Sequence, residues 1–111
     1  MDRRSSKRTR KVIRIQWKNE DVVHDGVTLD ICPGGIFVIT SQKVPPSSQI
    51  HLQLWLGKDS PLSCRGRVTW VNRGQVVYYP PGFGVQFLDL PEESRKILDP
   101  ICDGYDPIEA V

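Results

Sequence analysis

The sequence predicts an all-β fold, an antiparallel barrel or sandwich with one short helix near the C-terminus. Three observations support this prediction: short apolar segments that alternate with period two, turn residues between these segments, and helical spacing in a single late segment. Parallel βαβ units would require a helix between successive strands, and the sequence lacks that pattern. A chain of 111 residues has room for one domain.

The N-terminal strands alternate between apolar and polar residues, as strands with one buried face do. Over residues 12–17 this alternation places three apolar side chains on one face: Ile13, Ile15 and Trp17. Asp25-Gly26 stands between residues 21–24 and residues 27–32. An Asp-Gly pair accepts the positive φ values of a two-residue turn, so we expect a hairpin there.

The second arm of this hairpin is where polar side chains collect. Alternation would turn three apolar side chains towards the core: Val27, Leu29 and Ile31. The residues between them would then share the opposite face: Thr28, Asp30 and Cys32. Pro33-Gly34-Gly35 follows as a turn, and residues 36–39 form the next predicted strand.

The C-terminal half continues with further strands. Residues 50–56 alternate most regularly, and residues 62–71 form a strand in which Gly66 suggests a bulge or bend. Two more short strands are predicted over residues 76–79 and 84–88, on either side of a Pro-Pro-Gly turn.

The only helix is predicted over residues 91–102. Pro91 suits a first helical position, and acidic residues follow it where the helix dipole favours them. Three apolar residues recur at helical spacing: Ile97, Leu98 and Ile101. Pro100 should end or kink this helix.

The basic residues concentrate at the N-terminus. Residues 1–14 have seven basic side chains against Asp2, a net charge of +6, while the remaining eight basic and twelve acidic residues give −4. A segment of this kind is typical of one that meets an anionic partner. We divide the chain into a flexible basic arm (1–11), a barrel domain with its helix (12–104) and a tail (105–111).

Several classes of protein are excluded by the sequence. No stretch approaches about 18 consecutive apolar residues and no apolar run follows Met1, so we expect no membrane insertion, no secretory signal and a cytoplasmic location. The three cysteines, Cys32, Cys64 and Cys102, are too scattered for a disulfide framework or a zinc site. We therefore expect neither a metal nor a cofactor.

Catalytic constellations are also missing from the sequence. His24 borders the predicted turn, whereas Cys32 lies at the far end of the second arm, roughly 16 Å away along the strands. Asp30 shares the face of the cysteine, but no imidazole stands between them as a triad would need. Gly82-Phe83-Gly84 lacks the third glycine of a phosphate-binding loop. We expect a binding surface and not an enzyme.

Two short motifs give the chain a family resemblance. Arg4-Ser-Ser-Lys-Arg8 is an RxxxR pattern, and Asp30-Ile-Cys-Pro-Gly-Gly35 matches a DxSxxG turn with cysteine in place of serine. With Gly66-Arg-Val-Thr-Trp70 and the segment 82–93, they make nearly the whole chain resemble the PilZ domain family. The resemblance implies a six-stranded antiparallel split β-barrel with a C-terminal helix, and cyclic di-GMP, a bacterial second messenger, as ligand.

The resemblance also implies a set of ligand-binding residues. Arg4 and Arg8 would contact the guanine bases and phosphates, because a guanidinium matches the O6 and N7 acceptors of guanine. Asp30 would accept from the N1–H and amino group on the opposite edge. Gly35 would let the backbone approach the ligand or take a positive φ. The full set is Arg3, Arg4, Arg8, Asp30, Cys32, Gly34, Gly35 and Trp70.

Some of these assignments have alternatives. Arg10-Lys-Val-Ile-Arg14 repeats the RxxxR spacing, but Arg14 lies within the first predicted strand, whereas the family motif precedes the barrel. Trp70 fits an ordinary barrel position as well as a place beside the ligand. Cys32 is a weaker hydrogen-bond partner than serine, so the substitution should weaken binding without abolishing it.

These observations predict a receptor in which the arm is disordered when free and becomes ordered over cyclic di-GMP. The ordered arm would present a surface to an unidentified downstream protein. Two alternatives remain: a PilZ-like domain that binds no nucleotide and acts through protein contacts, and a weak nucleic-acid binder that uses the arm. The mildly acidic body makes nucleic acid the poorer partner.

Overall fold

The computed structural model describes residues 9–56 and 61–102. In these residues the chain forms seven strands and one helix. The elements are β1 (Thr9–Arg10), β2 (Arg14–Asn19), β3 (Val22–Cys32), β4 (Gly35–Ile39), β5 (Gln49–Trp55), β6 (Leu62–Asn72), β7 (Gly82–Phe87) and α1 (Glu92–Cys102).

Six of the strands close into an antiparallel barrel. The ring runs β3-β2-β5-β6-β7-β4, and β4 pairs back onto β3 to close it. The additional strand β1 pairs with the end of β3 beyond β2, with Thr9 opposite Ile31 and Arg10 opposite Asp30. The predicted six-stranded barrel with a C-terminal helix is therefore confirmed, with β1 as an extra strand.

The barrel interior is filled by the apolar residues that the alternation placed there. Trp17 is fully buried, its ring stacks on His24 at 4.2 Å between centroids, and it meets the edge of Phe83 at 5.0 Å. Helix α1 adds Leu98 and Ile101 to the same core. Burial of each such side chain stabilises the folded state by about 1.5–3 kcal/mol relative to leaving it exposed. The helix is therefore part of the domain core.

The first hairpin turns at Glu20-Asp21, so the turn predicted at Asp25-Gly26 is wrong. Glu20 takes the positive φ of 59° that the tight turn requires, and β2 pairs with β3 without interruption. Asp25 accepts a hydrogen bond from Gln16 across this pair at 2.8 Å. Because such cross-strand contacts continue through the Asp-Gly pair, these residues lie within a strand.

A bulge in β3 corrects the predicted faces of residues 27–32. The pairing with β4 shifts between Thr28 and Asp30, so Leu29 is an extra residue and the alternation reverses there. Thr28 consequently points inwards, where its hydroxyl accepts from the Ile13 N–H at 3.0 Å. Val27 is exposed, and only Ile31 of the three predicted core residues is fully buried.

Two predicted strand features are also wrong. Residues 76–79 belong to the loop between β6 and β7, because Asn72 bonds to the backbone of this segment and no strand pairs with it. Gly66 pairs regularly, and the irregularity of β6 lies between Val68 and Trp70 instead. A side chain on Gly66 would meet the Leu52 Cδ1 atom at 3.0 Å, so close packing explains the glycine.

Helix α1 differs from its prediction at two residues. It continues through Pro100 to Cys102, so of the two effects expected of this proline, an end or a kink, the end does not occur. Ile97 is half exposed, whereas Leu98, Ile101 and Cys102 are buried, which rotates the core-facing side of the helix away from Ile97. No helix in residues 9–56 and 61–102 is long and apolar enough to cross a membrane.

Candidate functional site

One row of residues runs across the outer face of five neighbouring strands. Arg10 pairs with Asp30, Asp30 with Phe37, Phe37 with Gly84, and Gly84 with Trp70. Residues paired in this way have side chains on the same face of the sheet. The bulge in β3 therefore brings a carboxylate into line with two aromatic rings.

Asp30 is the acidic group of this row. Its residue is only 3% exposed, and its Oδ2 accepts a hydrogen bond from the Tyr79 hydroxyl at 2.6 Å. A buried carboxylate requires such partners, because its unpaired charge would be costly. Tyr79 lies in the β6–β7 loop, so this bond joins that loop to β3.

Three aromatic rings pack beside the carboxylate. The ring of Tyr79 meets Phe37 edge-on at 4.9 Å between centroids and lies 5.7 Å from the ring of Trp70. Phe37 and Trp70 are 5.2 Å apart. Phe37 is buried, whereas Trp70 is 39% exposed and offers part of its indole to solvent. Phe37, Trp70 and Tyr79 together form an aromatic wall.

Asn72 holds the loop that supplies Tyr79. Its side chain is buried, and its Nδ2 donates to the carbonyl oxygens of Val76, Tyr79 and Pro80 at 3.0–3.1 Å. Its Oδ1 accepts from the N–H groups of Gly74 and Val76. These five bonds fix the loop backbone while leaving two large side chains at its tip exposed: Val77 and Tyr78.

The Pro33-Gly34 turn joins β3 and β4 as predicted and places Cys32 opposite Gly35. Cys32 is buried and Gly34 is exposed, with open space where a Cβ would be. A Cβ on Gly35 would collide with the carbonyl oxygen of Val85 on β7. Close packing of β4 on β7 thus requires glycine at position 35. The positive φ that was one of the two expected reasons for Gly35 is not found.

The predicted site residues divide into three groups. Asp30, Cys32 and Trp70 lie on the outer row or on the same face of β3, Gly34 lies in the adjacent turn, and Gly35 begins β4. Arg3, Arg4 and Arg8 lie outside the described residues. Arg14, from the alternative RxxxR pattern, is on β2 with its guanidinium 4.2 Å above the ring of Trp55.

A second polar cluster lies on another part of the barrel. Arg65 and Asp89 form an exposed ion pair at 3.0 Å, and this bond lowers the pKa of the Asp89 carboxyl. Burial, with a further contribution from Asp89, raises the pKa of the neighbouring Cys64 thiol to about 11. The thiol therefore ionises less readily than an ordinary cysteine. In residues 9–56 and 61–102, no group of three acidic, histidine or cysteine residues could hold a metal ion.

Sequence reasoning missed three residues of this site. The sequence indicates only a strand position for Phe37, and it places Tyr79 in a strand over residues 76–79 that does not form. Asn72 directly follows the predicted strand 62–71 and received no role. An asparagine at a strand end, with Gly74 and Pro80-Pro81 after it, is typical of a structured loop, and that composition could have indicated it. The proximity of Tyr79 to Asp30, 49 residues away, is visible only in the folded chain.

A family model for the PilZ domain matches residues 2–104 of this sequence. The chain belongs to the PilZ domain family. The match includes the arm, the DxSxxG-like turn and the helix, so the PilZ assignment rests on the whole domain and on more than two motifs. No curated protein matches the sequence.

Solved structures share the PilZ fold at low sequence identity. The Bacillus subtilis inhibitor of motility, MotI/DgrA, aligns with a TM-score of 0.78 at 16% identity, covering 93% of this chain and 50% of that protein. The PilZ domain of CeSA from a cellulose-synthesizing bacterium aligns at 0.63 and 17%, covering 89% and 97%. This PilZ chain thus spans half the length of the Bacillus protein and nearly all of the CeSA domain.

A third similar structure contains a ligand. The PlzA protein of Borreliella burgdorferi, in complex with c-di-GMP, aligns with a TM-score of 0.58 at 15% identity. The alignment covers 77% of this chain and 30% of PlzA. At such identities the likeness establishes the fold.

Proposed function

We propose that this PilZ domain is a receptor for cyclic di-GMP and acts by binding, without catalysis. The observation that supports it best is the buried carboxylate of Asp30 on the outer face, in line with the aromatic wall and beside β1. Membership of the family and the fold shared with a c-di-GMP complex support the same ligand.

The chemistry of the proposed site fits guanine and not adenine. A carboxylate accepts two hydrogen bonds from adjacent donors, and the N1–H and amino group of guanine supply them. Adenine has an acceptor at N1 and would face the carboxylate with repelling lone pairs. Trp70, part of whose indole is exposed, offers a surface on which a base can stack.

The proposed arginine contacts come from the arm. In the sequence Arg8 directly precedes β1, whose Arg10 pairs with Asp30, so the proposed contact needs a reach of only a few residues along the chain. Arg4 and Arg8 would bind the guanine O6 and N7 atoms and the phosphates, and Arg3 would add a phosphate contact. The arm would thus close over a ligand held from below by the barrel.

The proposed output is a surface created when the arm becomes ordered. Two phosphates neutralise part of the arm's charge, so residues that repel one another in the free protein gain common partners. A downstream protein would bind that surface. Amide exchange of residues 1–8 should slow when cyclic di-GMP is added, and equal exchange with and without it would refute this step.

Titration calorimetry with three nucleotides tests the function directly. Cyclic di-GMP should bind, cyclic di-AMP and GTP should bind far more weakly, and Arg8→Ala should lose roughly tenfold or more in affinity. Arg14→Ala is the matched control, because Arg14 has the same charge and its guanidinium lies over Trp55. Equal loss in both variants would mean that only the net charge of the segment matters.

One alternative function has a structural observation in its favour. Oδ2 of Asp30 already accepts a bond from Tyr79, and cysteine replaces the family serine at position 32. A PilZ domain that contacts proteins without binding nucleotide would have such a closed site. No heat change with micromolar cyclic di-GMP would favour that alternative over the receptor.

A further inference from the structure

Tyr79 makes the contact that guanine would need. Its hydroxyl donates to Oδ2 of Asp30 at 2.6 Å, a short bond typical of a neutral donor and an ionised acceptor. Its ring lies against both other members of the aromatic wall, Phe37 and Trp70. The phenol therefore satisfies one carboxylate oxygen and packs beside the partly exposed indole at the same time.

Guanine places two demands on this arrangement. Its N1–H and amino donors are adjacent and parallel, so a paired contact uses both oxygens of one carboxylate. Stacking on Trp70 would place the base beside the Tyr79 ring, whose centroid lies 5.7 Å from that of the indole. Both demands fall on positions at or beside this one side chain.

The backbone of Tyr79 is held independently of its side chain. The carbonyl of Tyr79 is held by Asn72 at 3.1 Å, and the adjacent carbonyl of Pro80 by the same amide at 3.0 Å. The side chain is half-buried, and its hydroxyl contacts Asp30. A rotation of the side chain would therefore break the bond to Asp30 without unfolding the loop.

We propose that Tyr79 is an affinity-setting residue that competes with guanine for Asp30. Binding of the nucleotide breaks the phenol–carboxylate bond, the Tyr79 hydroxyl turns to water, and the guanine donors replace it. This inference rests on the proposed receptor function and adds the residue that regulates its site. The observed affinity is then reduced by the fraction of molecules in which the site is closed.

The proposed rotation of Tyr79 would also change an exposed part of the surface. Tyr78 packs edge-on against Tyr79 at 6.0 Å between ring centroids, and Tyr78 and Val77 are 83% and 88% exposed. When Tyr79 turns, Tyr78 loses this neighbour. The tip of the β6–β7 loop thereby changes together with the occupancy of Asp30.

Two tyrosine variants test the competition. Tyr79→Phe keeps the ring and removes the hydroxyl, so its affinity for cyclic di-GMP in titration calorimetry should rise roughly three- to tenfold. Tyr78→Phe makes the same chemical change at the adjacent residue, whose hydroxyl is exposed, and its affinity should equal that of the wild type. Thermal unfolding of each variant verifies that it is folded.

The outcomes separate this inference from the function on which it rests. Binding by the wild type with unchanged or weaker binding by Tyr79→Phe overturns the competition and leaves the receptor function intact. Weaker binding would mean that the hydroxyl orients the carboxylate for guanine. No binding by any of the three proteins overturns the receptor function, and the competition with it.

A second measurement follows the ring itself. In protein with isotope-labelled tyrosine, the NMR signals of the Tyr79 ring should shift on addition of cyclic di-GMP, because the ring leaves Phe37 and Trp70. The Tyr78→Phe variant simplifies the assignment. Ring signals that stay unchanged at saturating ligand would contradict the rotation even if the affinities behaved as expected.

Discussion

Trp70 occupies the space over Gly84 that a side chain would otherwise fill. A Cβ built on Gly84 would lie 2.6 Å from Cδ1 of Trp70 and closer still to its Nε1. The two residues are paired across β6 and β7, so the indole lies against the neighbouring strand at Gly84. An aromatic ring that covers a strand glycine stabilises that strand and fixes its own position. Because Gly84 has no side chain, Trp70 can pack there, and this contact fixes one end of the aromatic wall.

Gly84→Ala should displace Trp70 and destabilise the domain. The expected cost in the free energy of unfolding is about 1–3 kcal/mol, as for other overpacked sites. Chemical denaturation measures it, and a double-mutant cycle with Trp70→Ala isolates the cause, because the alanine should cost much less once the indole is gone. Additive costs in the cycle would show that the two residues do not interact.

The two glycines of the turn should behave differently. Gly35→Ala should destabilise the protein by about 2 kcal/mol or more, because its Cβ would collide with the Val85 carbonyl and force β4 from β7. Gly34→Ala has open space and no positive φ, so its effect should stay within about 0.5 kcal/mol. Equal stability of the two variants would contradict the packing explanation for Gly35.

Asn72→Ala should free the β6–β7 loop. The substitution leaves three carbonyl groups and two N–H groups without their buried partner, and we expect a loss of about 2–4 kcal/mol. Amide exchange of residues 74–79 should accelerate, whereas exchange of the β5 amides should not change. Asn72→Asp is the informative control, because it retains the acceptor oxygen but places a negative carboxylate against three carbonyl oxygens. This variant should be no more stable than Asn72→Ala.

Cys32→Ser restores the residue of the family motif. A hydroxyl is a stronger hydrogen-bond partner than a thiol, so cyclic di-GMP should bind about two- to tenfold more tightly. Titration calorimetry measures the change, and Cys64→Ser, on a different strand and away from the outer row, should leave the affinity as it is. Unchanged or looser binding by Cys32→Ser would argue against position 32 as part of the site.

Cys64 should make stability fall at alkaline pH. Its folded-state pKa of about 11 is above the ordinary value of 9.0, so the folded protein keeps a proton that the unfolded chain releases. The resulting stabilisation is complete below pH 9.0 and is lost as the pH rises through about 11. The difference in unfolding free energy between wild type and Cys64→Ala should decrease over that interval. A difference that is constant with pH would contradict the raised pKa.

Strand positions could be predicted where alternation alone decides them. Residues 50–56 and 12–17 have their apolar side chains at every second position, and the barrel buries those side chains. The prediction failed at residues 25–26 and 76–79, where local turn and strand preferences compete with long-range pairing. Gly26 lies in a strand because Ile15 pairs with it, and Val76 lies in a loop because Asn72 binds its backbone.

By itself, the sequence determined the class of fold, the buried side chains of the regularly alternating strands and the family to which the chain belongs, because these depend on residue type and spacing. Only the tertiary structure decided how the outer face is built. The bulge at Leu29 turns Asp30 to that face. The loop held by Asn72 brings the Tyr79 hydroxyl to the Asp30 carboxylate. Contacts of this kind join residues far apart in the chain, and their energies depend on a geometry that no local pattern encodes.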